Sequence, residues 1–224
     1  MGKIKHLKEV IDKKIKGAIF DLDGTLLDSM WVWSEIDRRF LGARGFDVPS
    51  DYLEAIAPLG ARKAAEYTIE RFGLDEKPED LMEEWFGMAL SAYEHEVDCK
   101  PYAKDYLKKL KKEGKKLAVA TSSDRLLIMP ALKRIGILDL FDAVVTVDEV
   151  NRGKGFPDIY EKAASKIGIE NEECVVFEDI LAGIKGAKMG GFMAVGVYDD
   201  HSDHEHPTMK SLADGFVMGI EELM

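Results

Sequence analysis

The sequence predicts an α/β protein with a doubly wound parallel sheet, into which an all-helical segment is inserted. Three observations support this prediction. Short apolar runs alternate with helical patterns, the runs show little polar alternation, and the interval after the first run is far longer than a crossover between neighbouring strands needs. With 224 residues, of which 46% are hydrophobic, the chain is long and apolar enough to bury the core of such a fold.

The predicted strands are apolar almost throughout. Strands buried on both faces appear in a sequence as nearly continuous apolar runs, whereas a strand with one solvated face alternates apolar and polar residues. The five candidate strands are 17–22, 116–122, 142–148, 174–179 and 192–198. Because Val, Ala, Ile and Phe fill them with little interruption, we expect a parallel sheet covered by helices on both faces and joined by right-handed crossovers.

The segments between these strands carry apolar residues at helical spacing. In the segment 103–113, Ala103, Tyr106, Leu107 and Leu110 form one stripe, and lysines occupy the other side. Similar patterns occupy 124–135, 157–167 and 180–189. These segments are therefore the predicted crossover helices.

The interval between the first two strands is about 90 residues long, where a crossover needs only ~12. Its helical patterns cover 29–43, 51–57, 61–72 and 79–95, and it holds no convincing strand. We therefore predict a core formed by 1–28 and 100–224 and a helical domain formed by 29–99. Since this insert follows the carboxyl end of a strand, we expect it over the crevice where open α/β sheets bind ligands.

Charge and composition exclude some classes of function. A formal charge of −11 argues against sequence-independent binding to nucleic acid or to an anionic membrane, since both depend on basic patches. No apolar run approaches the ~18 residues of a membrane span. The segment 1–17 lacks the apolar core of a signal peptide, and we interpret it as a short exposed helix or a loose end.

The two cysteines, Cys99 and Cys174, are far apart and lie outside any CxxC pattern. They predict two buried thiols in a reducing cytoplasm. For the oligomeric state, a monomer is the default expectation.

Polar side chains lie at the carboxyl ends of three of the predicted strands. They are Asp21 and Asp23 at the end of the first strand, Thr121, Ser122 and Ser123 at the end of the second, and Glu178 and Asp179 at the end of the fourth. The carboxyl ends of parallel strands share one edge of a sheet, so we expect these groups to converge. Four carboxylates would repel one another unless a cation were bound, and Mg²⁺ prefers such hard oxygen ligands. Lys154 supplies a fixed positive charge, and its neighbours Gly153 and Gly155 would permit close backbone approach.

These segments resemble the four motifs of the haloacid dehalogenase superfamily of phosphotransferases. The segments are "DLDGTLLDS", "TSS", "GKGFPDIY" and "FEDILAGIKGAKMGGF", and their order and spacing agree with that family over roughly residues 17–198. The pattern is most similar to the branch that contains β-phosphoglucomutase and small phosphosugar phosphatases. The resemblance implies a Rossmann-like core with the helical insert as its small cap domain.

The resemblance also implies a role for each residue. Asp21 would be the nucleophile that forms an aspartyl phosphate, and Asp23 the general acid and base. The residues that bind the transferring phosphoryl group would be Thr121, Ser122 and Lys154. The ligands of Mg²⁺ would be Asp21, Asp23 through its backbone carbonyl, Glu178 and Asp179. The implied substrate is a small phosphorylated metabolite.

Two positions bear on the type of reaction. Asp23 favours phosphate esters, because the dehalogenating members of the superfamily do not keep an acid there. The mutases usually carry His twelve residues after the nucleophile, where this chain has Trp33, so we predict a phosphatase acting on a sugar-phosphate-like metabolite. A phosphosugar mutase is the alternative, and a catalytically silent binding module is a third possibility. Phosphonate hydrolysis would need a lysine in the insert, which offers only Lys63 and Lys77.

Other residues receive weaker interpretations. Arg62, which follows the turn 57–60, is the residue of the insert that we expect to contact substrate. The tryptophans of the insert, expected in its core, are Trp31, Trp33 and Trp85. The segment 199–206 holds His201, His204 and His206, and we interpret it as a flexible, solvated acidic loop because its spacing sets no metal geometry. The expected N-cap of the helix 124–135 is Ser122 or Ser123, and the residues expected to cap the helix at 180 are Glu178 and Asp179.

Overall fold

The computed structural model describes residues 2–56 and 59–224, which divide into two compact units. The first unit comprises Met1–Met30 and Val97–Met224, and the second is Trp31–Glu96. The sequence predicted that the inserted domain spans 29–99, whereas the second unit of the structure spans 31–96. The two boundaries therefore differ by two and by three residues. Each unit is therefore built from the segments that the sequence groups together, apart from a few residues at the crossings.

The strands of the described residues all belong to the first unit. They are β1 Gly17–Phe20, β2 Leu27–Asp28, β3 Asp98–Cys99, β4 Lys116–Thr121, β5 Ala143–Thr146, β6 Cys174–Glu178, β7 Met193–Val197 and β8 Gly215–Val217. Six of them form a parallel sheet in the order β5-β4-β1-β6-β7-β8, while β2 and β3 form a separate antiparallel pair. The predicted parallel sheet is confirmed, with β8 as a sixth strand at its edge, and the separate pair of β2 and β3 is a further element that the sequence did not predict.

The helices follow the sequence pattern closely. They are α1 Gly2–Lys14, α2 Trp31–Ala43, α3 Tyr52–Ile56, α4 Ala61–Phe72, α5 Pro78–His95, α6 Ala103–Lys112, α7 Arg125–Ile135, α8 Asp158–Ile167, α9 Leu181–Met189 and α10 His206–Leu212. The crossover helices α6 to α9 begin and end within one residue of the prediction, whereas α10 was not predicted. The prediction for the end of α3 and for the turn 57–60 falls in part on residues 57 and 58, outside the described residues. None of the helices in the described ranges is long and apolar enough to cross a membrane.

Both faces of the sheet are buried, each against its own helices. Ile19 of β1 belongs to a buried cluster that includes residues of α8 and α9. Phe20, the next residue, stacks on Phe177 of β6 with ring centroids 4.6 Å apart, and both rings contact Tyr106 of α6 edge-on. Successive side chains of a strand point to opposite faces, so Ile19 and Phe20 reach different layers. This double burial explains why the strands show no polar alternation.

The strand order places three carboxyl ends next to one another. The chain passes from β1 to β4 and β5 on one side, and then crosses to β6 on the other side of β1. Phe20 at the end of β1 lies opposite Val119 of β4 and Phe177 of β6. The residues that follow these three strands therefore leave the sheet at one edge, at the point where the strand order reverses. Ligands bind at such points in open α/β sheets.

The N-terminal helix α1 packs against the core, so its interpretation as an exposed helix or loose end is wrong. Leu7 and Ile11 are buried, and Leu7 fills the space that a side chain at Gly215 of β8 would need. The buried Lys115 donates from Nζ to the carbonyls of Ile11 and Ile15, each at 2.8 Å. It thereby satisfies acceptors that the end of a helix leaves without an intrahelical partner.

The second unit has a core of its own. Trp85 is buried as expected, and the hydroxyl of Tyr52 makes a buried hydrogen bond of 2.7 Å with Thr68. Trp33 is 52% exposed, so its expected place in the core is wrong. It lies near the start of α2, on the side of the helix that the other elements of this unit leave uncovered.

A buried carboxyl makes the stability of the second unit depend on pH. Burial raises the pKa of Asp37 from 3.8 to about 6. Because the folded state then holds the proton more tightly, the free energy of unfolding falls as pH rises from about 4 through 6. We expect Asp37→Asn to be about 1 to 2 kcal/mol more stable than wild type at pH 7.5 and to lose this advantage at pH 4.

Urea unfolding followed by tryptophan fluorescence measures this effect, because all three tryptophans lie between positions 31 and 85. Asp47→Asn, at an exposed position of the same unit, is the control and should change stability little at either pH. An advantage of Asp37→Asn that persists unchanged at pH 4 would contradict the assignment.

Candidate active site

The turn after β1 places Asp21 and Asp23. Asp21 is buried, and its backbone N–H donates to the carbonyl of Phe177 at 3.1 Å, which continues the sheet by one residue. Gly24 then turns the chain with φ +82°, a conformation that residues with a side chain rarely adopt. A Cβ at Gly24 would also lie 2.4 Å from Oδ2 of Asp179. Glycine is therefore required both by the turn and by the approach of Asp179.

Asp21, Glu178 and Asp179 form a buried acidic cluster. One carboxylate oxygen from each residue lies within 4.8 Å of the others, which is close enough to share a metal ion. Burial, and then the charges of Asp21 and Glu178, raise the pKa of Asp179 to about 9. Burial likewise raises the pKa of Glu178 to about 7 and raises that of Asp21. The cluster therefore favours either a proton or a cation among its oxygens.

Lys154 lies between two members of this acidic cluster. Its Nζ donates to Oδ1 of Asp21 and, at 2.6 Å, to Oε1 of Glu178. Burial alone would lower the pKa of Lys154, but the two carboxylates raise it well above its ordinary value, so the ammonium stays charged. A Cβ at Gly153 or Gly155 would meet no atom of the described residues within 4 Å, so the close approach expected at these glycines stays a prediction. Close approach within the protein occurs at Gly186 of α9, where a Cβ would lie 2.1 Å from the carbonyl of Lys154.

The two oxygens of Glu178 have different surroundings. Oε1 accepts from Lys154 and from the hydroxyl of Tyr160 at 2.8 Å. Oε2 is buried and has no hydrogen-bond partner in the described part of the chain. An unsatisfied buried carboxylate oxygen is unfavourable, and a bound cation would satisfy it. The donor set, three carboxylates with one orphaned oxygen, therefore fits a hard divalent cation such as Mg²⁺.

Asp23 is held by two serines from different parts of the first unit. One carboxylate oxygen accepts from Ser29 at 2.6 Å and the other from Ser123 at 2.5 Å. Ser123 follows β4, so this contact joins the ends of β1 and β4. Ser123 was expected at a strand end, whereas Ser29, the last residue of the segment "DLDGTLLDS", had no role assigned to it from the sequence.

The start of α7 differs in detail from the expectation. Thr121 is fully buried, and its Oγ1 accepts from the N–H of Ser123 at 3.0 Å, while Ser122 is exposed. The N-cap is Asp124, which accepts from the N–H of Leu126 at 2.7 Å, so the prediction of Ser122 or Ser123 is wrong. The structure thus brings Thr121 to the edge where Asp23 lies, and Ser122 beside it is exposed.

The segment 199–206 supports the cluster, so its interpretation as a flexible, solvated loop is wrong in part. Ser202 is buried, and its hydroxyl donates to the carbonyl of Asp179 at 2.6 Å. Glu205 accepts from the N–H of Leu181 at 2.7 Å and so caps α9, the role expected of Glu178 and Asp179. His206 is buried as well, whereas the other two histidines of the segment are exposed. The Pro directly after His206, which suits the first turn of a helix, is the signal that could have predicted α10.

Arg62 lies in the second unit, in the first turn of α4. Its exposed guanidinium pairs with the carboxylates of Glu79 and Glu66. The expected contact of Arg62 with substrate therefore stays a prediction, as do the catalytic, phosphate-binding and metal-binding roles of the other site residues.

Comparisons with known proteins agree on one family. The sequence model of the family described as haloacid dehalogenase-like hydrolase matches residues 18–197. Fructose-1-phosphate phosphatase YqaB of Escherichia coli is 31% identical over 186 residues, covering 83% of this chain and 97% of its own. β-Phosphoglucomutase of Bacillus subtilis is 30% identical over 197 residues, covering 82% and 83%. The crystal structure of a candidate β-phosphoglucomutase from Thermotoga maritima superposes with a TM-score of 0.83 at 26% identity, covering 93% of this chain and 97% of that one.

The glycines around Glu178 generate a stability prediction. A Cβ at Gly183 would lie 2.3 Å from Cδ of Glu178, inside the acidic cluster. We expect Gly183→Ala to lower the free energy of unfolding by about 1 to 3 kcal/mol, because either Glu178 or α9 must move. Gly87→Ala in α5, where a Cβ would meet nothing within 4 Å, should instead raise it by about 0.5 to 1 kcal/mol. Thermal and urea unfolding of both variants measure the contrast, and equal effects would refute the proposed clash.

Proposed function

The chain belongs to the haloacid dehalogenase-like hydrolase family, and on that premise we propose that it is a Mg²⁺-dependent phosphatase that acts on a small, sugar-phosphate-like metabolite through an aspartyl-phosphate intermediate. Its enzyme class is phosphoric monoester hydrolase, in agreement with relatives that are named phosphatases. The observation that carries the proposal is the convergence of Asp21, Glu178 and Asp179 with Lys154 at one edge of the sheet.

Asp21 is the proposed nucleophile. Its carboxylate oxygen attacks phosphorus in line, a new P–O bond forms, and the ester bond to the leaving oxygen breaks. Lys154 keeps the carboxylate ionised and in place, and its charge stabilises negative charge on the phosphoryl oxygens in the transition state. This role matches the position of Nζ between Asp21 and Glu178.

Asp23 is the proposed general acid and base. It gives a proton to the leaving oxygen, and as a carboxylate it then takes a proton from the water that attacks the aspartyl phosphate. That second step releases inorganic phosphate and restores Asp21. Ser29 and Ser123 would orient the Asp23 carboxyl for both transfers.

The proposed metal ligands are Asp21, Glu178, Asp179 and the backbone carbonyl of Asp23. When bound, Mg²⁺ would supply positive charge to the phosphoryl oxygens. The chain's contribution is to hold three buried carboxylates close together, with Thr25 donating to Asp179 at 3.3 Å and Ser202 fixing the Asp179 backbone.

The other residues complete the proposed phosphate site. The side chain of Thr121 and the backbone N–H of Ser122 would donate to the phosphoryl oxygens at the start of α7, where helix N–H groups favour an anion.

We further propose that the second unit is the cap domain and that Arg62 contacts the substrate. Fructose 1-phosphate, named for the Escherichia coli relative, indicates the substrate class. A cytoplasmic location is part of the proposal, since Cys99 and Cys174 are both free thiols.

Removing the nucleophile tests this proposal. We expect Asp21→Asn to lose Mg²⁺-dependent release of phosphate from p-nitrophenyl phosphate by about 10³-fold or more, because the amide cannot form the covalent intermediate. The variant should stay folded, since it removes one charge from a buried cluster that carries an excess of negative charge. Asp139→Asn, at an exposed position of the same unit, is the control. Retention of a tenth or more of the wild-type rate by Asp21→Asn would overturn the mechanism.

The products separate a phosphatase from a phosphosugar mutase. With Trp33 at the position where mutases usually carry His, we expect each sugar monophosphate consumed to yield one inorganic phosphate. Phosphorus NMR of reactions with a panel that includes fructose 1-phosphate and glucose 1-phosphate follows both products at once. Accumulation of an isomeric sugar phosphate without free phosphate would favour the mutase instead.

A further inference from the structure

Tyr160 on α8 is a buried phenol that the proposed reaction does not use. Its side chain is fully buried, and its hydroxyl donates to Oε1 of Glu178 at 2.8 Å. Because a phenol is protonated at neutral pH and Oε1 is a carboxylate oxygen, the hydroxyl acts as the donor in this hydrogen bond.

This donor makes the two oxygens of Glu178 unequal. Lys154 and Tyr160 both donate to Oε1, while Oε2 receives no hydrogen bond from the described residues. A carboxylate with a single donor can rotate and offer either oxygen to that donor. Two donors from different elements, the loop before α8 and α8 itself, hold Oε1 in one place.

The ring of Tyr160 is held as firmly as its hydroxyl. It belongs to the buried cluster between the sheet and its helices, and it meets the ring of Phe192 edge-on with centroids 6.2 Å apart. Gly183 of α9 leaves space for the Glu178 carboxylate, since a Cβ there would lie 2.5 Å from Oε2. Packing thus fixes the position of the Tyr160 hydroxyl, and the absence of a side chain at Gly183 leaves space for Oε2 of Glu178.

We propose that Tyr160 is a positioning residue of the metal site: by sharing Oε1 with Lys154, it reserves Oε2 of Glu178 for the divalent cation. The inference rests on the proposed function in one respect, namely that a cation binds at Asp21, Glu178 and Asp179.

Tyr160→Phe tests the proposal because it keeps the ring and removes only the hydroxyl. Binding of Mg²⁺ to the full chain, measured by titration calorimetry without substrate, should weaken about 10-fold, as expected when a partner that orients a metal ligand is lost. Tyr52→Phe is the matched control, since it also removes a buried tyrosine hydroxyl, bonded to Thr68 at 2.7 Å in the other unit. The control should lose similar stability and bind Mg²⁺ as wild type does.

A second comparison separates positioning from a general loss of packing. In a Glu178→Gln background, Tyr160→Phe should change the Kd for Mg²⁺ little, because the residue through which Tyr160 acts is already altered. An equal effect in both backgrounds would overturn the proposal, and so would wild-type Mg²⁺ affinity in the folded Tyr160→Phe protein.

The wild-type protein distinguishes this inference from the proposed function. If wild type binds Mg²⁺ and releases phosphate with it while Tyr160→Phe binds Mg²⁺ equally well, only the role of Tyr160 is overturned. If wild type neither binds Mg²⁺ nor depends on it for turnover, the proposed metal site fails, and the role of Tyr160 fails with it.

Discussion

The ion pairs of Lys154 with Asp21 and Glu178 are the constraint on which the rest of the first unit depends. Together with Asp179, these groups would carry three negative charges and one positive charge if all were ionised, which would place a net charge of two negative units in the interior. Burial of charge is costly unless the charges are paired. One fixed ammonium offsets part of this charge, and a divalent cation would offset the remainder. The buried negative charge therefore favours a cation at the same place where the proposed phosphoryl transfer would require positive charge.

The charged groups can lie close together because glycines let the backbone segments that carry them pack closely. Gly24 lets Asp179 approach the turn after β1, Gly183 makes space for the Glu178 carboxylate, and Gly186 lets α9 lie against the loop that holds Lys154. At each position a side chain would occupy the volume that a charged group or its backbone needs. The glycines of α9 lower its intrinsic helix propensity, so the helix depends on its contacts with the sheet and on its cap from Glu205. The glycines that let the acidic groups come together therefore make α9 less stable as an isolated helix.

The sequence predicts the parts of the fold that produce a regular pattern of apolar and polar residues along the chain. The strands and the crossover helices α6 to α9 follow from continuous apolar runs and helical stripes, and the site follows from polar groups at strand ends. The sequence could not predict contacts between distant segments. Ser202 lies in a highly charged segment that resembles a solvated loop, and only the folded chain brings its hydroxyl to Asp179. The edge strand β8 has only three residues, too few for a pattern to show. The sequence also cannot tell Gly153, where a Cβ would meet no atom within 4 Å, from Gly183, where a Cβ would collide with Glu178.

The insertion of the second unit is tied to the same hydrogen bonds that position the candidate catalytic groups. Where the chain leaves the first unit, Ser29 follows β2 and holds the carboxylate of Asp23. Where it returns, Lys100 follows β3 and donates to the carbonyl of Tyr198 at 2.9 Å and to the carboxylate of Asp199 at 2.7 Å. Asp199 opens the turn whose Ser202 fixes the Asp179 backbone. Ser29 and Lys100 both belong to the first unit, next to the points where the chain leaves it and returns to it. The hydrogen bonds that support Asp23 and the turn at Asp199 therefore lie beside the two connections to the second unit.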